Sequence, residues 1–554
     1  MSDERPRPVI VAFEEDAAAR EQVELELRKR YGSDYEVIVG SIDEAGSTLR
    51  RLVGSEVVLV IAGAPDHARA LDVLAESRAR FQLAKRCLTL NWGDRSATDV
   101  LLRGAAMGDI DYWAARPWSA RDESFHRAIS EFLADWSRAN RPPYEVVRLI
   151  GTHWDPATSA MRDLLTRNSI PFGSYEAGSA DADAILAGSG LDDARLPVVV
   201  LHDGRALVQP TGAEVGAAFG LATSAPRGLF DVTIVGAGPA GLAAAVYAAS
   251  EGLRVAVVER QAIGGQAGTS SLIRNYLGFP RGVSGAELAQ RAYEQAWLFG
   301  AEFVYGLDAV DLVIDGDRRA VVLADGSKIE TRTVIIASGV SYRMLDDPEL
   351  MRFQGAGVYY GAATSEAPGL AGDDVAVVGG GNSAGQAALY LASHVRRVTV
   401  LVRGSSLAES MSEYLIQELD RTSNIEIRYG TEVIGGRGDR RLEGLVVRDA
   451  VSGELSTMPL AAVFVLIGAE PRTSWLPGAV LRDRWGSILT GADAGPRAGR
   501  AGLETSVPGV FAVGDVRHGA VKRVASAVGE GSVAVGSVHQ YLASGDVVGH
   551  RPAG

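Results

Sequence analysis

Cysteine is almost absent from this sequence, because Cys87 is the single one in 554 residues. One thiol cannot form a disulfide or a dithiol pair within a chain, which excludes an internal disulfide relay. It also excludes a metal cluster held by several cysteines, since such a site needs a set of thiolate ligands. Dithiol–disulfide chemistry within one chain is therefore ruled out as the basis of its function.

The sequence also lacks a long apolar run. No segment approaches the roughly 18 to 20 residues that a membrane-spanning helix needs, and the N-terminal MSDERPRP has no apolar signal core. The net charge of -14 opposes general binding to nucleic acid or to an anionic membrane, although a local basic patch stays open. We expect a cytoplasmic protein with no nucleic-acid partner and no membrane partner.

The most informative stretch is DVTIVGAGPAGLAAAVYAASEGLRVAVVE, at 231–259, where a buried strand, a glycine turn, a helix and a second strand follow one another. Gly236 permits a tight turn, Gly238 lets the backbone approach a pyrophosphate, and Gly241 lets the helix pack closely on the strand. The helix N-terminus offers N–H groups to the anion, and Glu259 is placed to accept hydrogen bonds from ribose hydroxyls. This order predicts a dinucleotide-binding unit.

The N-terminal quarter of the chain alternates short apolar strands with helical segments, which predicts a parallel sheet covered by helices. The layout resembles a response-regulator receiver domain, with Glu14, Glu15 and Asp16 where receivers keep metal-binding acids. Ala62 stands near the expected phosphoacceptor, and Arg116 replaces the expected lysine. We predict a degenerate receiver that serves for contacts, with an active switch as the alternative.

A smaller unit at 144–221 follows the Arg-Pro-Pro linker and resembles the thioredoxin or glutaredoxin fold. The Leu196–Pro197 step before a strand is where that fold carries a cis-proline. The loop after its first strand, GTHWDPATSAM, has no cysteine, so thiol chemistry cannot occur there. We interpret His153 and Asp155 in this loop as solvated residues.

After the dinucleotide unit come the segments AIGGQAG, RNYLGFP, TVIIASG and ETSVPGVFAVGDV. In this order they resemble the low-molecular-weight thioredoxin reductase group of flavoproteins, from residue 229 to the C-terminus. The resemblance implies that FAD is bound by Gly236, Gly238, Pro239, Ala240, Gly241, Glu259, Gly265, Gln266, Asn275, Ala337, Gly339, Gly514, Asp515, Arg523, Val524 and Ala525. A helix beginning near Ala525 would direct its positive end at the flavin.

A second strand, glycine turn and helix, DDVAVVGGGNSAGQAALYLASH, interrupts the first unit and fits the GxGxxA fingerprint. The residues predicted to bind a nicotinamide dinucleotide are Gly379, Gly381, Asn382, Ser383, Ala384 and Arg403. No acid follows its second strand, whereas Arg403 can pair with a 2′-phosphate, which favours NADPH. NADH stays possible, because Val402 and Gly404 replace the histidine and second arginine of the family.

The thioredoxin reductases carry a CxxC pair followed by an acid just before this second glycine turn. Alignment on the turn places Ala362 and Ser365 at the two cysteine positions and Glu366 at the acid. Electrons cannot pass from a flavin to a dithiol by this route, since a serine hydroxyl is not a redox group. Glu366 is our candidate catalytic residue, as a proton donor near the flavin, with a surface carboxylate without function as the alternative.

The predicted fold is α/β, with two Rossmann-like three-layer domains, one inserted in the other. A flavodoxin-like receiver-type domain and a thioredoxin-like domain precede them. The predicted boundaries are 1–140 for the receiver-like domain, 141–225 for the thioredoxin-like domain, 226–345 and 473–554 for the FAD-binding domain, and 346–472 for the NAD(P)H-binding domain.

These residues predict an FAD-dependent NAD(P)H oxidoreductase that passes electrons to an external acceptor other than a dithiol. A quinone, a dye, dioxygen or a redox protein would serve, and the family resemblance implies a homodimer. The alternative is a redox-sensing or scaffold flavoprotein, in which nucleotide-dependent domain rotation changes the contacts of the two degenerate N-terminal domains. Steady turnover favours the enzyme, and slow reoxidation favours the sensor.

Overall fold

A computed structural model describes the chain over 7–106, 108–117, 122–140, 145–168, 170–191, 194–270, 272–279, 282–316, 318–361, 366–496 and 502–548. The chain forms two compact units. The first contains Met1–Tyr144, Leu391–Ser393 and Leu407–Ile425, and the second contains Glu145–Tyr390, His394–Ser406 and Glu426–Gly554. Over the described ranges, no helix has both the length and the apolar character needed to cross a membrane.

The N-terminal part of the first unit is the predicted βα alternation. Its elements are β1 (Val9–Glu14), α1 (Ala17–Tyr31), β2 (Glu36–Gly40), α2 (Ala45–Arg51), β3 (Val57–Gly63), α3 (His67–Arg80), β4 (Lys85–Leu90), α4 (Thr98–Ala106), β5 (Tyr112–Ala115) and α5 (Glu123–Asn140). The strand order β2-β1-β3-β4-β5, with parallel pairing, is that of flavodoxin-like sheets. β1 and β3 are buried along their whole length, because helices cover both faces of the sheet.

The acidic run after β1 is divided between three different environments. Glu14 is completely buried and accepts a hydrogen bond from Arg116 Nε at 3.1 Å and another from the Thr89 hydroxyl. Glu15 forms an exposed ion pair with Arg69, and Asp16 caps α1. Burial raises the pKa of Glu14 more than Arg116 lowers it. The chain's own arginine therefore occupies the carboxylate that a receiver would use for a metal ion.

Arg116→Ala should destabilise the first unit by about 3 kcal/mol or more at neutral pH, because it leaves the buried Glu14 carboxylate without its cation. Urea unfolding followed by the fluorescence of buried Trp136 measures the effect. The difference in unfolding free energy between Arg116→Ala and wild type should shrink as the pH falls through the raised pKa of Glu14, since a neutral carboxyl needs no cation. Arg69→Ala is the exposed control and should leave the transition almost unchanged, so equal losses in both variants would contradict the assignment.

The second unit begins with a small mixed sheet. Its elements are β6 (Val147–Gly151), α6 (Pro156–Arg167), β7 (Phe172–Glu176), α7 (Ala180–Gly188), β8 (Val198–Leu201), β9 (Ala206–Val208) and α8 (Gly212–Ala218). β6 pairs in parallel with β7 and antiparallel with β8, and β8 and β9 form an antiparallel hairpin. The Leu196–Pro197 peptide before β8 is cis, as predicted. Helix α7 is an addition to the predicted elements.

The larger part of the second unit contains the two predicted dinucleotide folds. The first includes β10 (Phe230–Val235), α9 (Pro239–Ser250), β11 (Val255–Glu259), α10 (Gly285–Leu298), β12 (Glu302–Tyr305), β13 (Ala309–Asp315), β14 (Arg318–Leu323), β15 (Lys328–Ile336) and β16 (Val340–Tyr342). β10 lies between β11 and β15 and is parallel to both. The inner strands are therefore buried on both faces, and their carboxyl ends meet at one edge.

The inserted segment carries the second glycine turn. Its elements are α11 (Pro348–Met351), β17 (Val358–Tyr360), β18 (Asp374–Val378), α12 (Asn382–Ala392), β19 (Arg397–Leu401), α13 (Glu413–Arg421), β20 (Ile425–Arg428), β21 (Thr431–Arg437), β22 (Gly444–Asp449), β23 (Leu455–Pro459), β24 (Ala462–Val465) and β25 (Ala469–Pro471). The sheet order is β17-β24-β18-β19-β20, and β21 to β23 form a separate antiparallel sheet. Helix α13 belongs to the first unit, where Glu418 pairs with Arg78.

The C-terminal segment returns to the first dinucleotide fold. β26 (Val510–Ala512) pairs with β15, and α14 (Val524–Val548) packs on α9. β16 and β25, which lie at the two connections to the inserted segment, pair with each other in an antiparallel ribbon. The inserted segment therefore leaves and rejoins the first fold through two paired strands.

Candidate functional site

The first glycine turn leaves space on one side only. A Cβ atom at Gly236 would lie 2.4 Å from the Ala337 carbonyl oxygen, and one at Gly241 would lie 1.9 Å from the Gly236 carbonyl oxygen. A Cβ at Gly238 would meet no protein atom within 4 Å. The backbone is therefore packed tightly against β15 and open at Gly238, where Pro239 starts α9. This cradle suits an anion at the helix N-terminus.

Glu259, at the end of β11, is buried and already held by backbone donors. Its Oε2 accepts from the Ala237 N–H at 2.9 Å, and its Oε1 accepts from the Gln261 and Ala262 N–H groups. These bonds fix the carboxylate beside the glycine turn. Carboxylate oxygens have further lone pairs, so these bonds leave Glu259 able to accept from ribose hydroxyls as well. That role stays a prediction.

The GGQ turn lies directly against the first glycine turn. A Cβ at Gly265, which has φ +53°, would be 3.2 Å from Gly238 Cα. Gln266 donates to the Val340 carbonyl at 3.4 Å, while its own Oε1 is buried without a partner in the described structure. Gly339 follows β15 with φ +62° and an open Cβ position. These segments, distant in sequence, meet beside the open positions of Gly238 and Gly339, and we call the space beside these two glycines the groove.

The C-terminal residues predicted to bind FAD reach the same turn. A Cβ at Gly514 would lie 3.1 Å from Ala240 Cβ, which places β26 and the following turn beside the start of α9. Burial raises the pKa of Asp515. α14 begins at Val524, directly after Arg523, and its first turn contains Ala525.

Asn275 is a further residue that the sequence predicts to bind FAD. It is exposed, in the loop closed by the Ile273–Val283 bridge. Its role toward FAD stays a prediction.

The second glycine turn repeats the geometry of the first. A Cβ at Gly379, which has φ +144°, would lie 2.4 Å from the Leu466 carbonyl oxygen and 3.2 Å from Ala384 Cβ. Helix α12 starts at Asn382, and the following Ser383 is exposed. The turn residue Gly381 accepts the first hydrogen bond from the Ala384 N–H at 3.0 Å. The predicted nucleotide residues are therefore collected at one helix N-terminus.

Arg403 lies two residues beyond β19 and is exposed, as a side chain that meets a ligand from solvent would be. Its charge acts on Glu432 of β21 and helps to lower the pKa of that carboxyl, behind the larger effect of Arg448. The arrangement leaves the guanidinium available beside the second glycine turn.

The candidate catalytic residue Glu366 is buried and has two partners on the thioredoxin-like helix α6. It accepts from Arg162 Nη1 at 2.6 Å and from the Ser159 hydroxyl at 3.0 Å. Burial raises the pKa of Glu366, and Arg162 opposes that rise. Ala362 and Ser365, at the predicted cysteine positions, lie outside the described residues. The interpretation of Glu366 as a surface carboxylate is therefore wrong, since its side chain is only 4% exposed.

Sequence reasoning missed Arg162 and Ser159, although one signal was available. Arg162 follows Met161 on the buried face of α6, together with Thr158 and Leu165. An arginine on a buried helix face requires an acid from another element, because an isolated buried charge is costly. The identity of that acid cannot be read from local sequence.

The loop before α6 is not the solvated loop that the sequence predicted. The ring of His153 lies against Gly369, where an added Cβ would be 2.0 Å from its Cε1 atom, and burial lowers its pKa. Asp155 caps α6 by accepting from the Thr158 N–H. Arg441 lies over the Trp154 ring, with its Cζ 4.8 Å from the centroid. The loop at the thioredoxin active-site position therefore packs against the inserted segment.

Comparison with known proteins covers the part of the chain that holds both glycine turns. Residues 230–531 match the family model described as pyridine nucleotide-disulphide oxidoreductase. An Escherichia coli protein of the alkyl hydroperoxide reductase system is 34% identical over 337 residues, which cover 60% of this chain and 61% of that protein. This chain therefore spans less than two thirds of that relative.

Two thioredoxin reductases are covered almost completely. The enzyme of Ureaplasma parvum is 33% identical over 315 residues, which are 57% of this chain and 97% of that protein. The crystal structure of the Lactococcus lactis enzyme, in its FR conformation, superposes with a TM-score of 0.53 at 28% identity, covering 57% of this chain and 99% of that one. The chain belongs to the pyridine nucleotide-disulphide oxidoreductase family, as a thioredoxin reductase-like flavoprotein.

Proposed function

We propose that this chain moves electrons from NAD(P)H through FAD to an external acceptor that is not a dithiol. The observation that carries the proposal is the combination of two complete glycine turns with a single cysteine. Cys87 is fully buried in β4 of the first unit, so it is not a solvent-exposed thiol. A dithiol relay is unavailable to one chain, whereas hydride transfer to a flavin needs positioning and no sulfur.

The groove beside the first glycine turn fits FAD. The open position at Gly238 and the N-terminus of α9 suit its pyrophosphate, and Glu259 stands beside the turn for the adenosine ribose. When bound, FAD supplies a ring system that accepts a hydride and passes electrons onward. The residues proposed to hold it are those predicted from the sequence, with Gly265, Gln266 and Asp515 toward the flavin side.

The inserted domain would bring the nicotinamide to this groove. Gly379, Gly381, Asn382, Ser383 and Ala384 would hold the dinucleotide at the start of α12. The β16 and β25 ribbon forms both connections to the insertion, which supports a hinge rotation about this pair of strands. In this proposal the chain's contribution to hydride transfer is to bind, orient and exclude water.

Anaerobic addition of NADPH to the purified protein should bleach the visible absorbance of bound FAD, and a quinone or ferricyanide should then restore it with continuous turnover. Stopped-flow absorbance measures the first step and nucleotide consumption measures the second. Bound FAD that stays oxidised under excess NADPH and NADH would refute the proposed function.

Arg403→Ala should raise the KM for NADPH by about ten-fold and leave the KM for NADH nearly unchanged. The reason is that a guanidinium makes a charge-assisted bond to a 2′-phosphate, which NADH lacks. Flavin reduction rates at varied concentrations of each nucleotide give the two constants. Arg428→Ala, on neighbouring β20, is the matched control and should change neither constant; an equal effect of Arg403→Ala on both nucleotides would assign Arg403 another role.

A second candidate function is a nucleotide-responsive sensor, and the Glu366–Arg162 pair favours it. This pair ties the inserted domain to the thioredoxin-like domain, so rotation of the insertion would have to break it. A comparable contact in the first unit joins Arg78 of the receiver-like domain to Glu418 of α13. The proton-donor role of Glu366 stays a proposal, and its buried pairing favours an anchoring role.

Arg162→Met should accelerate hydrogen–deuterium exchange in α6 and in 366–370, because it leaves the Glu366 carboxylate buried and unpaired. The double variant Arg162→Met with Glu366→Gln should exchange more slowly than the single variant, since neither side then carries a charge. Mass spectrometry of the peptides measures both rates.

The matched control is Arg148→Met, which removes an exposed arginine from the same domain. Unchanged exchange in Arg162→Met would show that the pair does not anchor the domains.

The homodimer implied by the family resemblance is likewise a proposal, supported by the exposed Trp297, Leu298 and Phe299 around the end of α10.

A further inference from the structure

The C-terminal end of the thioredoxin-like helix α6 lies on the flavin-binding segment. Asn168 donates to the Gln261 carbonyl at 3.3 Å and to the Tyr305 hydroxyl at 3.0 Å, and its own Oδ1 accepts from the Ile263 N–H. All three partners belong to the first dinucleotide fold, in the segments that follow β11 and end β12. The end of α6 therefore has a defined position beside the GGQ turn.

The preceding residue, Arg167, turns its guanidinium toward the same turn. Its Nη2 lies 3.5 Å from the Gly265 carbonyl oxygen, and Gly265 packs directly on Gly238. Its other polar partner is Asp163, one turn earlier on α6, at 3.5 Å. Both contacts are long, and the Nε atom is buried with no hydrogen-bond partner in the described structure. The side chain is 16% exposed, so water satisfies little of this cation.

Two further arginines lie close to one another in this part of the fold. Arg260 follows Glu259, pairs with Asp308 at 3.1 Å, and also has a buried Nε without an acceptor in the described part of the chain. Arg472 follows β25, and its backbone N–H donates to the Gly339 carbonyl. Burial lowers the pKa of Arg472, and the nearby charges of Arg260 and Arg167 add to that effect. The charges of Glu259 and Asp308 oppose that effect, so Arg472 lies within electrostatic reach of two arginines and two acids.

We propose that Arg167 of the thioredoxin-like domain binds the diphosphate of FAD. A diphosphate at Gly238 would bring two negative charges beside Gly265, whose carbonyl oxygen the Arg167 guanidinium already faces, and would accept its unused hydrogens. The thioredoxin-like domain then contributes a residue to the flavin site instead of a redox pair. This inference rests on the proposed function, since it takes FAD as the occupant of the groove.

The alternative is that Arg167 only docks the two domains. Asn168 separates the two explanations, because it makes the docking bonds and carries no charge. Arg148, an exposed arginine of β6 whose partner is Glu145, provides a matched loss of charge away from the groove.

The test is FAD release from the purified holoprotein of wild type, Arg167→Ala, Arg167→Lys, Asn168→Ala and Arg148→Ala. Recovery of free-flavin fluorescence on dilution gives the dissociation constant at several salt concentrations. Arg167→Ala should raise this constant by about ten-fold or more and weaken its dependence on salt, because one ionic contact is gone. Arg167→Lys should lie between it and wild type, and Arg148→Ala should match wild type.

Equal dissociation constants for wild type and Arg167→Ala would overturn the inference, as would an equal rise with unchanged salt dependence in Arg167→Ala and Asn168→Ala. A wild-type protein that contains no FAD and takes up none would instead overturn the proposed function. Circular dichroism of each variant checks the fold, and the charge-retaining lysine variant keeps the comparison valid if the alanine variant does not fold.

Discussion

The absence of room for a Cβ atom at two backbone contacts fixes the first glycine turn. Because Gly241 packs on the Gly236 carbonyl and Gly236 packs on Ala337, α9 approaches β10 and β15 more closely than any side chain would allow. The same constraint recurs where Gly379 meets Leu466. Each turn therefore presents its helix N-terminus at the carboxyl edge of its sheet, where a dinucleotide binds. The remaining groups are placed relative to these two edges.

The contact between the thioredoxin-like and inserted domains is made by a buried ion pair and involves no cysteine. The loop that would carry a dithiol in a thioredoxin fold holds His153, and the segment expected to follow a CxxC pair holds Glu366. The His153 ring packs against Gly369, and Glu366 forms a buried ion pair with Arg162 of α6. A disulfide relay requires partners that exchange, whereas a buried ion pair is costly to open because each charge then loses its partner. The contact is better suited to holding domains than to passing electrons.

The parts of this structure that the sequence predicted well are those with local causes. Strand β3 is a continuous apolar run, β1 and β10 are mostly apolar, and the glycine spacing marks both turns, so their places follow from a few neighbouring residues. Helix α7 escaped prediction because only Ala182 and Leu186 are buried, which leaves no apolar stripe. Arg162 and Glu366 are 204 positions apart, and their pairing depends on how domains dock, which no local pattern encodes.

In the proposed site, domain docking and flavin binding use neighbouring residues, which couples the two equilibria. Asn168 and Arg167 are neighbours at the end of α6, one bonded to the segment around Glu259 and the other directed to the anion site. A ligand that binds the docked arrangement more tightly must stabilise that arrangement by the same free energy. FAD would therefore hold the thioredoxin-like domain in place, and the Glu366 pair would then transmit that constraint to the inserted nucleotide domain. In this proposal the thioredoxin-like domain would influence electron transfer through its position alone.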